Sequence, residues 1–194
     1  VLIASVGMLS DVDSANLNRL TVTLTARPNG NAVESLSLNA AATTVASGAG
    51  LTVSYTASTG VLLITGTAST ATYQTILQGI LYNNTSDQPT TSNRSITVVA
   101  RDSTNASSTS RTATITVMAV NDASTITSLS GDSRAYSEGA GAVVIESGNA
   151  LVADVDSTNF DTGTLTVSIP VGGDSAEDVL SIRHQGSGAG QIGV

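Results

Sequence analysis

Short runs of alternating polar and apolar residues, separated by turn-forming residues, fill most of the chain. Leu20 to Ala26, Leu51 to Tyr55, Val61 to Thr65, Ser95 to Arg101 and Arg111 to Val120 are the strongest such runs, and Glu34 to Leu38 is a shorter one. Alternation places one side chain in and the next out, so these runs predict half-buried β-strands. Pro28-Asn29-Gly30 marks a turn, and Ser58-Thr59-Gly60 between two runs marks a hairpin loop. Strands with one apolar face stack face to face, which predicts an all-β sandwich.

One segment departs from the period of two. Tyr73, Ile76, Leu77, Ile80 and Leu81 fall at i, i+3, i+4, i+7 and i+8. That spacing predicts one short amphipathic helix from Thr70 to Leu81, capped by Ser69 or Thr70, with Gly79 weakening it. Its apolar stripe fits a lid over one end of the core, the alternative being the wall of a peptide-binding groove.

The pattern also repeats. Asp11-Val12-Asp13-Ser14-Ala15-Asn16 returns 143 positions later as Asp154-Val155-Asp156-Ser157-Thr158-Asn159. Each copy leads into an alternating run, Leu20 to Thr25 and Thr164 to Ile169, then an acidic turn and a short run near Glu34 to Leu38 and Glu177 to Ile182. A repeat of this length means one module copied in tandem. The expected division is residues 1–123, a module lacking its opening strand or strands, and residues 124–194, the front part of a second. The second module opens with Ser124 to Ser130, then Tyr136-Ser137-Glu138-Gly139 and Val143 to Ile145. Its glycines at Gly186, Gly188, Gly190 and Gly193, flanked by Ile182 and Ile192, fit turns within the module. The whole is expected to be a stretch of a longer tandem protein, the alternative being a short chain completed by its neighbour in a polymer.

Composition narrows the function. The net charge is −8, which argues against nucleic acid and anionic lipid as partners. No cysteine is present, so neither a disulfide framework nor a thiolate metal site is expected. No run of about twenty apolar residues predicts a membrane span. Abundant Thr, Ser, Ala, Val and Gly suit pleated sheet and tight turns, a composition associated with secreted bacterial surface proteins.

The repeated Asp-x-Asp carries the candidate chemistry. In an extended strand, residues i and i+2 face the same side, so each pair aims two carboxylates at one point. Like charges so placed repel unless a cation sits between them. Calcium, which takes six to eight oxygens at about 2.3–2.6 Å, fits best. Two carboxylates are too few, and other acids stand at strand ends: Asp102 after Ser95 to Arg101, Asn121-Asp122 after Arg111 to Val120, and Glu138 beyond that junction. Asp and Asn also favour turns, so the alternative is solvated turn residues.

Ile96-Thr97-Val98-Val99-Ala100-Arg101-Asp102, a Ser/Thr turn, and Ala113 to Asp122 resemble the closing half of a cadherin repeat. Ala100-Arg101-Asp102 matches its Ala-x-Asp strand end, and Val120-Asn121-Asp122-Ala123 its linker. Glu138 and the Asp154/Asp156 pair follow in the family's order and spacing. Ala119 and Ala123 replace expected linker ligands, the mid-repeat Asp-Arg-Glu is missing, and Tyr73 to Asn84 stands in its region. In these respects the chain resembles the divergent cadherin-like repeats of giant bacterial surface proteins.

The resemblance implies Greek-key β-sandwich modules of cadherin/immunoglobulin-like class, bound in tandem through Ca2+. It implies that Asn121, Asp122, Asp154 and Asp156 form one junction, and that Asp11, Asp13 and Asp102 top the first module. Glu138 would serve the base of the second. The function expected is a calcium-stiffened, non-enzymatic extracellular module at the cell surface, for adhesion or for spacing an adhesive tip. Its partners would be neighbouring repeats or identical subunits, with a surface receptor or glycan beyond them. The alternative is a structural subunit of an extracellular filament, sheath or surface layer. A carbohydrate-binding spacer is disfavoured by the absence of tryptophan.

Other motifs carry little. Asp161-Thr162-Gly163 matches the aspartic protease motif by chance, without a second copy. A catalytic triad would have to use His184, the single histidine, and no Gly-x-Ser-x-Gly elbow accompanies it. Asn83, Asn84, Asn93 and Asn105 open glycosylation sequons, which arise by chance in so Ser/Thr-rich a chain.

Overall fold

The computed structural model describes residues 1–146, 148–160, 162–174 and 176–188. The chain divides into two compact units, Val1–Val120 and Asn121–Val194, so the boundary falls three residues before the expected 123/124.

Unit 1 holds seven strands and two helices. In chain order they are β1 (Asn16–Leu24), β2 (Glu34–Leu38), α1 (Ala40–Gly48), β3 (Thr52–Thr56), β4 (Val61–Ser69), α2 (Thr70–Gln78), β5 (Ile80–Asn84), β6 (Arg94–Asp102) and β7 (Arg111–Ile115). Five strands form an antiparallel sheet in the order β3-β4-β1-β6-β7, and β2 pairs with β5 in a second. Both sheets and both helices contribute to one core, built on Leu20, Val22, Leu24, Ile64, Ile76, Ile80 and Ile96. Mostly antiparallel β-structure with two short helices agrees with the all-β expectation.

The central strand shows how the register is set. Leu20, Val22 and Leu24 are buried by simple alternation, but Leu17 is buried too, three positions before Leu20. In a regular strand Leu17 and Leu20 would face opposite sides. The pairing slips between Leu17 and Arg19 against both neighbours, and this β-bulge returns Leu17 to the core.

Two helices are present where one was expected. α1 forms because Asn39 caps it, its side chain accepting from Ala42 N–H at 2.8 Å, and because Ala42 and Ala46 face the core. α2 begins as expected, with Ser69 capping through Thr72 N–H at 3.1 Å, but it ends at Gln78, before the expected Leu81. Ile80 and Leu81 belong to β5, where alternation buries Ile80 and Tyr82 and leaves Leu81 half-buried against Leu2. The apolar stripe of α2 runs straight into a strand, and the sequence spacing fits both.

Gly79 separates the two because nothing larger fits. A β-carbon there would lie 2.4 Å from the Ala42 β-carbon and 2.8 Å from Asn39 Oδ1, and the Gly79 carbonyl accepts from Asn39 N–H at 2.8 Å. Gly79→Val is therefore expected to push α1 and α2 apart and cost about 1–3 kcal/mol. Urea unfolding measures this, and an unchanged midpoint would show that the two helix ends are free to separate.

Three other expectations shift. The strand expected at Arg111 to Val120 stops at Ile115, leaving Met118 and Val120 exposed. The opening run of the second module, Ser124 to Ser130, yields only β8 (Thr125–Thr127), paired antiparallel with β9 (Leu151–Ala153). Val143 to Ile145, Thr164 to Ile169 and Glu177 to Ile182 are not strands. Leu20 to Thr25, the first-copy counterpart of Thr164 to Ile169, lies in β1 between β4 and β6, and no such partners occur among the described residues of unit 2. A strand without a partner leaves its backbone groups to water. Gly190, Ile192 and Gly193 lie outside the described residues, as does Asp161 of the Asp-Thr-Gly triplet.

Candidate metal centre

The repeated acidic segment is a turn rather than the extended strand expected. Asp11 Oδ1 accepts from the N–H groups of Asp13 at 3.2 Å and Ser14 at 2.7 Å. Asp154 Oδ1 accepts from Asp156 at 3.2 Å and Ser157 at 2.8 Å. Aspartate side chains readily bond the backbone two and three residues on, and that local bond wins over extension. The two copies thus fold alike despite lying in separate units.

Pairing of β1 with β6 brings Asp102 to the first turn. Asp102 ends β6 opposite Leu17, just beyond the turn that opens β1. One carboxylate oxygen from each of Asp11, Asp13 and Asp102 lies within 4.8 Å of the others. Two ligands on one calcium stand at most about 5 Å apart, so this spacing suits a shared ion. Asp13 is exposed and Asp102 buried.

Asp102 is held ionised. Burial pushes its carboxyl up, but bonds from the Thr104 hydroxyl, the Ala106 and Thr104 N–H groups and the Ser14 hydroxyl outweigh burial, leaving it below the ordinary 3.8. Oδ1 accepts from Thr104 N–H and Ala106 N–H, both at 2.8 Å, and from the Thr104 hydroxyl at 2.9 Å. Oδ2 accepts from the same hydroxyl at 2.9 Å and has only a long 3.5 Å contact from Ser14 Oγ. Oδ2 therefore keeps more capacity for a cation. Sequence reasoning found the three acids but missed Ser14, Thr104 and Ala106, which fix Asp102. Ser14 carried a signal, since it belongs to the repeated segment with Ser157 as its counterpart.

In unit 2 the expected acids meet in a different way. Asp122 donates its N–H to Asp156 Oδ2 at 3.0 Å, and the Ser124 hydroxyl donates to Asp154 Oδ2 at 2.8 Å. The Asn121-Asp122 segment and the second turn are thus adjacent, but through backbone and hydroxyl donors. Asp154 is held down to about 2, first by the Ser124 hydroxyl, then by hydrogen bonding with Asp156 and the N–H groups of Ser157 and Asp156, which together outweigh the opposing effect of burial. Among the described residues the single group of three acids close enough to share an ion is Asp11, Asp13 and Asp102. Glu138 lies exposed in a turn, outside that group.

A buried polar network escaped sequence analysis altogether. Glu34 and Arg94 are each 0% exposed and form an ion pair, Arg94 Nε to Glu34 Oε2, at 2.7 Å. The Tyr82 hydroxyl donates to the same oxygen at 2.8 Å, and Asn29 N–H donates to Oε1 at 2.8 Å. Burial pushes the Glu34 carboxyl up, but bonds from Arg94, Asn29 and Tyr82 and the Arg94 charge hold it below the ordinary 4.5. Every group in it is already partnered within the core, so it is a structural feature.

The chain matches no family model, no curated protein and no solved structure. Among the described residues no helix is long and apolar enough to cross a membrane.

Proposed function

We propose that this chain is part of a non-enzymatic extracellular repeat protein, built of cadherin-like Greek-key sandwich modules stiffened by calcium. Its role on this reading is adhesion, or spacing an adhesive tip from the cell surface. The observation that carries the reading is the convergence of Asp11, Asp13 and Asp102 from a turn and a strand end far apart in sequence. Three carboxylates supply half of a calcium shell, and hydroxyls, carbonyls and water can complete it. An ion there ties the turn before β1 to the end of β6 and relieves the repulsion among the acids.

Calcium that binds only the folded state must raise stability, by about 2.7 kcal/mol at one hundred times its dissociation constant. Thermal unfolding of the full chain is expected to shift upward in millimolar calcium relative to chelator, with magnesium giving a smaller shift because it demands tighter geometry. Asp11→Asn with Asp13→Asn is expected to abolish the shift while leaving the chelated protein as stable or more so. An unchanged transition in calcium overturns the reading, and so does a double variant that still responds fully.

A further inference from the structure

The β-bulge that returns Leu17 to the core also sets two arginines against each other. Leu17 pairs with Asp102 and Arg19 with Arg101, so Asn18 and Arg19 of β1 stand opposite the single Arg101 of β6. Two residues against one is what defines a bulge, and bulges re-aim side chains. Leu20 and Ala100, the next pair, are buried, so Arg19 and Arg101 lie on the other, outward face of the five-stranded sheet. Both are half-buried. Like charges directly opposite each other destabilise a sheet.

Neither arginine is neutralised within the protein. Among the described residues the single ion pair is Glu34–Arg94, and Arg19 Nε is covered without finding an acceptor. Arg101 is aimed: its Nε donates to Asn18 Oδ1 at 2.9 Å, and Asn18 Nδ2 donates to Asn105 Oδ1 at 3.2 Å. These bonds draw the Arg101 guanidinium toward β1, beside Arg19. Asp102, the next residue, is buried on the core side with Leu17. On the outward face the neighbours in register are Thr65 beyond Arg19, then Thr21 with Val99, then Thr23 with Thr97, and none is acidic. The first unit carries five arginines and five acids, so the chain's net charge of −8 resides in residues 121–194.

We propose that Arg19 and Arg101 share an oxyanion, and that the ligand is an acidic polysaccharide presenting a carboxylate or sulfate group. The planar guanidinium fork matches such groups and forms charge-assisted hydrogen bonds to them. One anion between the two arginines relieves the repulsion that the bulge creates. The pair sits on an open sheet face rather than in an enclosed pocket, so a small free ion gains only these contacts. A polymer lying along β1 and β6 also meets the hydroxyls of Thr21, Thr23 and Thr97, each both donor and acceptor, as sugar hydroxyls are. Charge does the holding, so the missing tryptophan is no obstacle. The site needs no cation and stands apart from the calcium reading.

The test titrates the full chain in chelator, where no calcium can bridge protein and polymer. The probes are polygalacturonate and dextran sulfate, with uncharged dextran and poly-glutamate as controls. Saturable binding to at least one of the two acidic polysaccharides is expected, weakening as sodium chloride is added, with none to dextran. Arg19→Gln and Arg101→Gln are each expected to weaken it roughly tenfold to a hundredfold, the loss of one charge-assisted contact. Arg101→Lys keeps the charge without the fork and is expected to fall between. Arg111→Gln removes an exposed arginine outside the site and is expected to bind like the wild type. Both glutamine variants are expected to stay folded, since they end a repulsion on the sheet surface. A wild type that binds neither acidic polysaccharide overturns the proposal. So does Arg111→Gln weakening binding as much as Arg101→Gln, which would make the effect one of charge alone. Poly-glutamate bound as tightly as the polysaccharides overturns the choice of ligand. Stabilisation by sodium sulfate without polymer binding overturns it too, leaving an adventitious ion only.

Discussion

Arg94→Met is expected to destabilise the protein by about 3–5 kcal/mol, the cost of leaving one member of a buried ion pair without its partner. Glu34 and Arg94 are both fully buried, so water cannot replace the lost guanidinium. Arg94 also donates to the Asn29 side chain at 2.6 Å, to the Thr90 carbonyl at 2.9 Å and to the Ser92 carbonyl, and methionine forfeits all three. Against the usual 5–15 kcal/mol of a whole domain this is a large fraction, equivalent to a fall of roughly 10–20 °C in the melting temperature. Glu34→Leu added to Arg94→Met is expected to recover part of the loss, because no charge then remains in the core. It cannot recover all, since Asn29 N–H and the Tyr82 hydroxyl lose their acceptor.

The same network sets an acid limit. Glu34 is held below its ordinary 4.5 in the folded state. Its contribution is therefore complete above about pH 4.5 and is lost as pH falls through the lower native value. Denaturant unfolding of the wild type and both variants between pH 7 and 3 checks this. A single Arg94→Met variant as stable as the wild type, or a wild type with no greater loss in acid than the double variant, would sink the argument.

Tyr73→Ala is the second large effect, expected at about 3–5 kcal/mol for the cavity left by a buried aromatic ring. Tyr73 is 0% exposed in α2 and its hydroxyl donates to the Gly66 carbonyl at 2.7 Å. Gly66 lies where β4 takes an extra residue relative to β1, between the partners of Arg19 and Leu17. One side chain thus fills the core and pins the bulge that lets Leu17 face inward. Tyr73→Phe keeps the ring and loses only the bond, for about 1 kcal/mol. Urea titration of both variants separates the two contributions, and a phenylalanine as damaging as alanine would mean that the hydroxyl, rather than the packing, dominates.

The alternating runs were legible because period two is a property of the strand itself. Glu34–Leu38 and Thr52–Thr56 fall within two residues of the runs that announce them. The helix after Ser69 was legible for its start, where the cap is local, but not for its end. Ile80 and Leu81 continue a helical stripe as well as they open a strand, and only the close approach of Gly79 to α1, where no larger residue fits, separates the two. α1 itself was missed, since Ala40 to Gly48 has almost no apolar contrast and is helical through its Asn39 cap and its packing. The Glu34–Arg94 pair was invisible because its members lie 60 positions apart, joined by sheet pairing that no local pattern encodes. Asp11, Asp13 and Asp102 were found as residue types at strand ends, but the extended Asp-x-Asp geometry assigned to them was replaced by a turn, because aspartate bonds its own backbone first.

The sequence by itself determined the period of the strands, the acids of the candidate centre and the 143-residue repeat, all of which live in residue order and spacing. Tertiary structure alone decided the bulge at Leu17, the convergence of Asp102 on the first turn and the buried Glu34–Arg94 pair. Each depends on which strands pair and in what register, and pairing is fixed by burial of the whole apolar face rather than by any one segment.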